Sequence, residues 1–191
     1  TKTFNKNNKF KKLFNIPVNK IWNLNEDFVK FIGIWLGNGY IYKSTTGEKI
    51  LGIGFIVSNV NIEEINYIIN VSKEVFGYNP KKYSSKNRNI TQITINSIII
   101  GSIFNYLFGC YFNGKKLPEM AFSWPKKLVD NLISGLITTI GNIYEENYII
   151  SLSNKTLINQ LYQYHHVSLK NHQNKIHINP QNMKFQYLIS L

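Results

Sequence analysis

The side chains that most often carry out catalysis or bind metals are scarce in this chain of 191 residues. It contains one cysteine, Cys110, which excludes an intramolecular disulfide and a zinc site built from cysteines. Its four histidines lie near the carboxyl end: His165, His166, His172 and His177. Their spacing follows no known metal-binding motif, and no cysteine or carboxylate lies close to them in sequence. We therefore expect no zinc site.

Positive charge is the strongest chemical signal in the sequence. The chain has 22 lysine and arginine residues against 10 aspartate and glutamate residues, a formal net charge of +12 at pH 7. Such a surplus is typical of proteins that bind a polyanion, most often nucleic acid. Arg88 is the only arginine, and lysine suits phosphates better than the edges of bases. The charge should raise affinity more than sequence selectivity, although AT-rich coding could also supply some of the lysines.

The first 20 residues form a basic arm, with five lysines among the first twelve residues and no acid. The arm lacks the apolar core of a secretory signal. We expect it either to become ordered on a phosphate surface or to remain a solvated tail. Hydrophobic residues make up 43% of the chain, but no apolar run approaches the roughly 18 residues of a membrane span.

Two apolar helices, each with a central glycine, are the elements that would position a site. The first is predicted over residues 28–37, after a possible N-cap at Asn25, and it carries Gly33 and Gly37. The second is predicted over residues 128–137 and carries Gly135. A helix that is apolar on all sides is buried on all sides, and glycine allows another backbone to come close.

The same pattern of hairpin, helix and hairpin follows both helices. After the first helix we predict strands at 40–44, 49–58, 81–85 and 90–96 and helices at 62–76 and 98–108. After the second we predict strands at 142–144, 147–152, 167–169 and 175–178 and a helix at 155–164. This predicts an α+β fold of two pseudo-twofold-related αββαββα halves with antiparallel sheets. The halves span residues 21–112 and 113–191, and the second is shortened.

Two segments carry a resemblance to a known family. Residues 31–40, FIGIWLGNGY, resemble the first signature of LAGLIDADG homing endonucleases in the DOD-type form found in inteins, which typically ends Gly-Asp-Gly-Tyr. Residues 133–141, ISGLITTIG, are similar to the second signature, which typically ends Asp-Gly. The resemblance covers residues 21–178. It implies that the signature helices pack side by side through Gly33, Gly37 and Gly135, that the sheets lie in the major groove, and that two aspartates hold catalytic Mg²⁺.

This chain departs from the family at both aspartates. Asn38 stands at the first position and Ile140 at the second. A hard dication needs anionic oxygen ligands, which neither side chain supplies, and Glu145 and Glu146 are expected to lie too far away at a hairpin turn. We expect no Mg²⁺, no other cofactor and no cleavage, with Asn38 and Ile140 as vestigial positions. The ends of the chain also lack the residues expected for protein splicing.

The last strand of the first half predicts a polar face. Gln92, Thr94 and Asn96 alternate with Ile93 and Ile95, and the resemblance implies that such a face meets nucleic acid. The alternative is an ordinary solvated face. The predicted contact residues are Lys43, Lys49, Lys81, Lys82, Lys86, Arg88, Gln92, Thr94 and Asn96.

The segment from Ile50 to Val57 barely alternates, with apolar residues on both sides. A strand apolar on both faces indicates that something other than DNA covers its outer side. This pattern favours a protein or folded-RNA partner.

Three functions therefore stand as hypotheses. The first is a catalytically inactive LAGLIDADG-type protein that binds DNA or structured RNA, within a larger assembly. The second is an architectural subunit of a ribonucleoprotein, such as a ribosome, or of a viral particle. The third is a weakly active homing endonuclease. The AT-rich type of composition suggests an intracellular, mitochondrial or viral setting without deciding between them.

Overall fold

The computed structural model describes residues 17–85, 87–144, 147–152, 154–169, 176–178 and 185–190. Most of the predicted basic arm, Lys86, and the turn formed by Glu145 and Glu146 lie outside the described residues. The chain divides into two compact units. Unit one contains residues 1–23 and 40–106, and unit two contains residues 24–39 and 107–191. No helix in the described part of the chain has the length and apolar character needed to cross a membrane.

Helices and strands alternate along the chain much as the sequence predicts. In chain order they are α1 (Glu26–Asn38), β1 (Gly39–Lys43), β2 (Ile50–Ser58), α2 (Ile62–Phe76), β3 (Lys81–Ser85), β4 (Ile90–Ile95), α3 (Ile98–Phe108), α4 (Tyr111–Gly114), a 3₁₀ turn (Glu119–Ser123), α5 (Lys126–Ile140), β5 (Gly141–Tyr144), β6 (Asn147–Leu152), α6 (Lys155–Leu169), β7 (Ile176–Ile178) and β8 (Phe185–Ser190).

Unit one is built around a four-stranded sheet in the order β1-β2-β4-β3, in which β4 runs antiparallel to β2 and β3. One face of the sheet is buried, and Phe55 and Ile93 lie side by side on it with no exposed surface. The buried side of α2, which includes Ile65 and Ile68, contributes to the same core. Gly77 ends α2 in the left-handed conformation, with φ at 66°, a position that favours glycine.

Unit two contains α1, α5, α6 and the second sheet, in the order β5-β6-β8-β7. The predicted N-cap is confirmed, because the Asn25 side chain accepts a hydrogen bond of 2.9 Å from the backbone N–H of Phe28. Eight of the ten residues from Phe28 to Gly37 are buried, as expected for a helix without a polar face.

The helices α1 and α5 cross at close range in unit two. Gly33 and Gly135 face each other there. A Cβ atom on Gly135 would overlap the carbonyl oxygen of Lys30 and lie 3.0 Å from the Cα of Gly33. A Cβ on Gly33 would likewise overlap the carbonyl oxygen of Leu132. Any larger residue would therefore have to displace backbone, so the two glycines set the distance between the helices.

The end of the chain differs from the prediction. The strand predicted over 167–169 is wrong, because α6 continues to Leu169. No glycine or proline interrupts the sequence between Lys155 and Leu169, so nothing stops the helix earlier. The partner of β7 is instead β8, a strand that the sequence analysis missed, with His177 opposite Leu188.

Candidate nucleic-acid interface

The last turns of α1 and α5 meet near Asn38 and Ile140. Gly37 packs against Thr139, and a Cβ on Gly37 would overlap the threonine hydroxyl and lie 3.5 Å from Cγ2 of Ile140. Asn38 and Ile140, the next residue on each helix, are both partly exposed. The helices therefore bring Asn38 and Ile140 to the same end of their crossing.

A buried lysine closes the end of α1. The Nζ of Lys115 donates hydrogen bonds of 2.9 Å to the carbonyl oxygens of Trp35 and Leu36 and lies 4.9 Å from the centre of the Trp35 ring. A cation there is favourable, because the last carbonyls of a helix carry partial negative charge. The same burial lowers the pKa of Lys115 to about 8. Asn154 holds the lysine backbone in place by donating to its carbonyl oxygen at 2.7 Å.

The side chains at this end of the crossing do not fit a divalent metal. Asn38 offers one neutral oxygen, Ile140 offers none, and the ammonium of Lys115 lies beside the preceding turn of α1. Hard dications are held by anionic oxygen, whereas this set is neutral or positive. Within the described ranges, no group of three or more histidine, cysteine or acidic residues is placed to hold a metal ion.

The second candidate surface is the outer face of the sheet in unit one, opposite its buried face. The strand register places Tyr83 beside Gln92 and Gln92 beside Ile56. Because side chains alternate along strands, these three residues share the outer face. Lys81 and Thr94 form the next row on that face. We call the first of these rows the outer row.

The structure places the predicted contact residues unevenly. Lys49, Lys81, Lys82 and Arg88 are exposed, and Lys43, Gln92 and Asn96 are partly buried. Thr94 is buried, with 4% of its surface exposed, so the expectation of an exposed polar face is wrong at this residue. Neighbouring β2 and β3 flank it on either side, which leaves a short threonine little access to solvent. Lys86 and the side chains of the four histidines lie outside the described part of the structure, so the predictions for them are not tested.

The unusual apolar pattern of β2 has a partly internal explanation. Ile53, Phe55 and Val57 belong to the core. On the outer face, the ring of Tyr40 covers Gly54, because a Cβ on that glycine would lie 2.7 Å from the Cε1 of the tyrosine. Ile56, which is 46% exposed, is the large apolar side chain of β2 that this face leaves exposed. An external partner is therefore needed for less of the segment than the sequence indicated.

Sequence reasoning missed two residues that shape these surfaces, Tyr40 and Lys115, whereas it placed Tyr83 beside the polar face. Tyr40 accepts a hydrogen bond from the side-chain amide of Gln92, and burial raises the pKa of the tyrosine. Tyr83 is 53% exposed at the centre of the edge strand. No local signal indicates which distant carbonyls Lys115 reaches.

Comparison with known proteins gives a structural answer only. No family model matches the sequence, and no curated protein matches it. Among solved structures, I-DmoI in complex with DNA and Mn is similar over 88% of this chain and 91% of its own, with a TM-score of 0.61 and 15% sequence identity. Mesophilic variants of the homing endonuclease I-DmoI align over 88% of this chain and 90% of theirs, with a TM-score of 0.63 and 14% identity.

This chain has a LAGLIDADG-like fold. Two further matches are to a protein that is not named as a nuclease. The N-terminal LAGLIDADG domain of DUF199/WhiA aligns with 100% of this chain and 87% of its own, at a TM-score of 0.54 and 14% identity. Full-length DUF199/WhiA from Thermatoga maritima aligns over 95% of this chain and 55% of its own, with a TM-score of 0.57 and 14% identity. The LAGLIDADG-like fold predicted from the two signatures is thus confirmed.

Proposed function

We propose that this chain is a catalytically inactive LAGLIDADG-type protein that binds nucleic acid. One observation carries the loss of catalysis: the two crossing helices end in Asn38 and Ile140, so no carboxylate is present at either position. Without anionic oxygens the site has no means of holding the metal that would activate water.

The proposal for binding rests on charge and placement. The net charge is +12. Lys81 is exposed on the outer face of the unit-one sheet, Lys82 is exposed on the other side of the same edge strand, and Arg88 is exposed in the turn that follows it. The related structure of I-DmoI holds DNA, and we infer by analogy that this chain uses a sheet face for the same class of ligand. Lysine-dominated contacts should be electrostatic and weakly selective for sequence.

We also infer that the fold arose by internal duplication with pseudo-twofold symmetry. Both sheets have four strands in an equivalent order, β1-β2-β4-β3 in the first and β5-β6-β8-β7 in the second. A glycine-containing helix, α1 or α5, leads directly into the first strand of each. A duplication would explain both regularities.

Salt dependence tests the binding. Affinity for a fluorescent 20-base-pair duplex, measured by anisotropy, should fall about a thousandfold between about 50 and 200 mM salt if about six phosphates are contacted. Lys81→Gln should lower the slope of log affinity against log salt by about one. The matched control is Lys73→Gln, which removes the same charge from an exposed position on α2. A flat salt response would favour the architectural hypothesis, in which proteins make most contacts.

Cleavage is tested separately. The protein is incubated with Mg²⁺ and a plasmid library that carries randomised inserts, and the ends of any linear products are sequenced. We expect no sequence-dependent breaks. Metal-dependent breaks at a defined sequence that disappear in Ile140→Lys would establish a weakly active endonuclease instead.

A further inference from the structure

The outer row is apolar and aromatic where a groove-reading sheet would be polar. Tyr83 and Ile56 flank Gln92 and are 53% and 46% exposed. Thus the two most accessible side chains of this row are a ring and a branched alkyl group. Exposed large apolar side chains that share one sheet face indicate a surface that meets a ligand.

The polar groups that could read base edges in a duplex are either hydrogen-bonded within the protein or buried. Gln92 donates its side-chain amide to the hydroxyl of Tyr40, which reduces its capacity for the two-point contact that recognises adenine. The Thr94 hydroxyl is buried and has no hydrogen-bond partner among the described residues. The Oδ1 atom of Asn96 is likewise buried, with no hydrogen-bond partner among the residues that the structure describes. The row is therefore poorly equipped to read a major groove.

The same surface suits a base that is not paired. An unpaired base exposes its flat apolar face, and aromatic side chains on sheets bind single strands by stacking on that face. Lys81 lies two residues before Tyr83 on the same face of β3, about 7 Å along the strand. A cation at that spacing can contact the phosphate of a nucleotide whose base stacks on the ring. Arg88, exposed in the turn that follows β3, adds a second positive charge.

We propose that the outer row binds an unpaired base of single-stranded nucleic acid, with Tyr83 stacking on the base, Ile56 packing at its edge and Lys81 contacting the adjacent phosphate. This rests on the proposed nucleic-acid binding and names the structural class of the ligand. The hydrogen bond between Tyr40 and Gln92 keeps the centre of the row in one arrangement, so the platform exists before the ligand arrives.

The experiment compares three fluorescent ligands on the full chain at matched salt concentrations between about 50 and 200 mM: a 20-nucleotide oligo-dT, a 20-nucleotide oligo-U and a 20-base-pair duplex. Each single strand is also made with one 2-aminopurine, whose fluorescence falls on stacking. We expect at least one single strand to bind more tightly than the duplex, and the dT and U arms show whether DNA or RNA is preferred. Tyr83→Ala should weaken that binding about tenfold and remove the fluorescence decrease, since stacking is sequence-tolerant and depends on the ring.

Two variants separate stacking from other roles. Tyr83→Phe keeps the ring and should bind within about twofold of the unchanged protein. Tyr106→Ala removes a tyrosine that is 80% exposed on α3 and should leave binding unchanged. Thermal unfolding checks that Tyr83→Ala folds, and Lys81→Gln provides an independent test of the same surface without altering the ring.

The outcomes distinguish this inference from the function on which it rests. If the duplex binds at least as tightly as both single strands, or if Tyr83→Ala binds them normally, the stacking proposal is overturned. In that case strong salt dependence with the duplex still supports nucleic-acid binding. If no ligand binds in a salt-dependent manner, both proposals fail and a protein partner for Ile56 becomes the better interpretation.

Discussion

Replacing Gly135 by alanine tests the helix crossing with the smallest possible change. In an open helix position, glycine to alanine stabilises by about 1 kcal/mol, because alanine is the better helix former. At this crossing the added Cβ would overlap the carbonyl oxygen of Lys30 and lie 2.9 Å from the amide nitrogen of Ile34. Both atoms belong to backbone and cannot rotate away. Overpacking commonly costs about 1–3 kcal/mol, and we take the upper end because two helices must separate.

The expected net loss is therefore about 2 kcal/mol in the free energy of unfolding. For a chain of this size, each kcal/mol shifts the melting temperature by about 2–4 °C, so Gly135→Ala should melt roughly 4–8 °C lower. Circular dichroism at 222 nm during heating measures this directly. Gly114→Ala is the matched control, because nothing among the described residues lies within 4 Å of a Cβ at that position. It should leave the melting temperature within about 1 °C.

The sign of the change in melting temperature decides whether the helix crossing is present in solution. If Gly135→Ala melts at the same temperature as Gly114→Ala, or higher, the backbone contact between α1 and α5 is not present in solution. The double variant with Gly33→Ala adds a second check. The first methyl group already pushes the helices apart, so the second meets a wider gap. The double variant should therefore lose less stability than the sum of the losses in the two single variants.

Three further predictions concern buried polar groups. Burial lowers the pKa of Lys115 to about 8, so between about pH 8 and 10.5 the unfolded chain binds more protons than the folded chain. The free energy of unfolding should therefore rise across that window by at most roughly 3 kcal/mol. Urea denaturation measures this rise, which Lys115→Met should lack. Burial raises the pKa of Glu64 to about 7. The contribution of its protonated form to the free energy of unfolding is therefore complete below about pH 4.5 and is lost as the pH rises through 7. Glu64→Gln should flatten the stability profile in that range, and an unchanged profile would contradict the assignment. Asn154→Ala removes bonds to Lys115 and to the backbone N–H of Leu157 and should cost about 1–2 kcal/mol, whereas Asn131→Ala, which loses a surface bond to its own helix, should cost less in the same assay.

Local patterns were sufficient for most of the elements. The helix over Ile62–Phe76 and the strand over Lys81–Ser85 have the predicted bounds, since clear periodicity and turn residues mark their ends. The prediction for α1 ends early, at residue 37, because glycine normally indicates a helix stop. The prediction for α5 covers residues 128–137 and takes Gly141 as the residue that closes the helix. In the structure these helices continue to Asn38 and Ile140, so the glycine that ends each helix is the first residue of the next strand.

The candidate surfaces were harder to predict because they depend on distant partners. Alternation identified the outer face of β4 but could not show that Thr94 is buried between its neighbours. The unusual apolar character of β2 suggested an external partner, whereas Tyr40 from an earlier strand already covers Gly54. In each case the deciding contact comes from another strand, and a single sequence without register carries no record of it.

The discontinuity of unit two has a consequence for synthesis. Its first segment, residues 24–39, leaves the ribosome before the whole of 40–106, and α5 begins only at Lys126. At a synthesis rate of about 5–20 residues per second, α1 therefore waits roughly 5–20 s for the helix that covers Gly33. Trp35, Phe31 and their apolar neighbours must be sheltered during that time, by other parts of the nascent chain or by a chaperone. Slower translation of residues 107–140 should lengthen this interval, and the yield of soluble chain should fall with it.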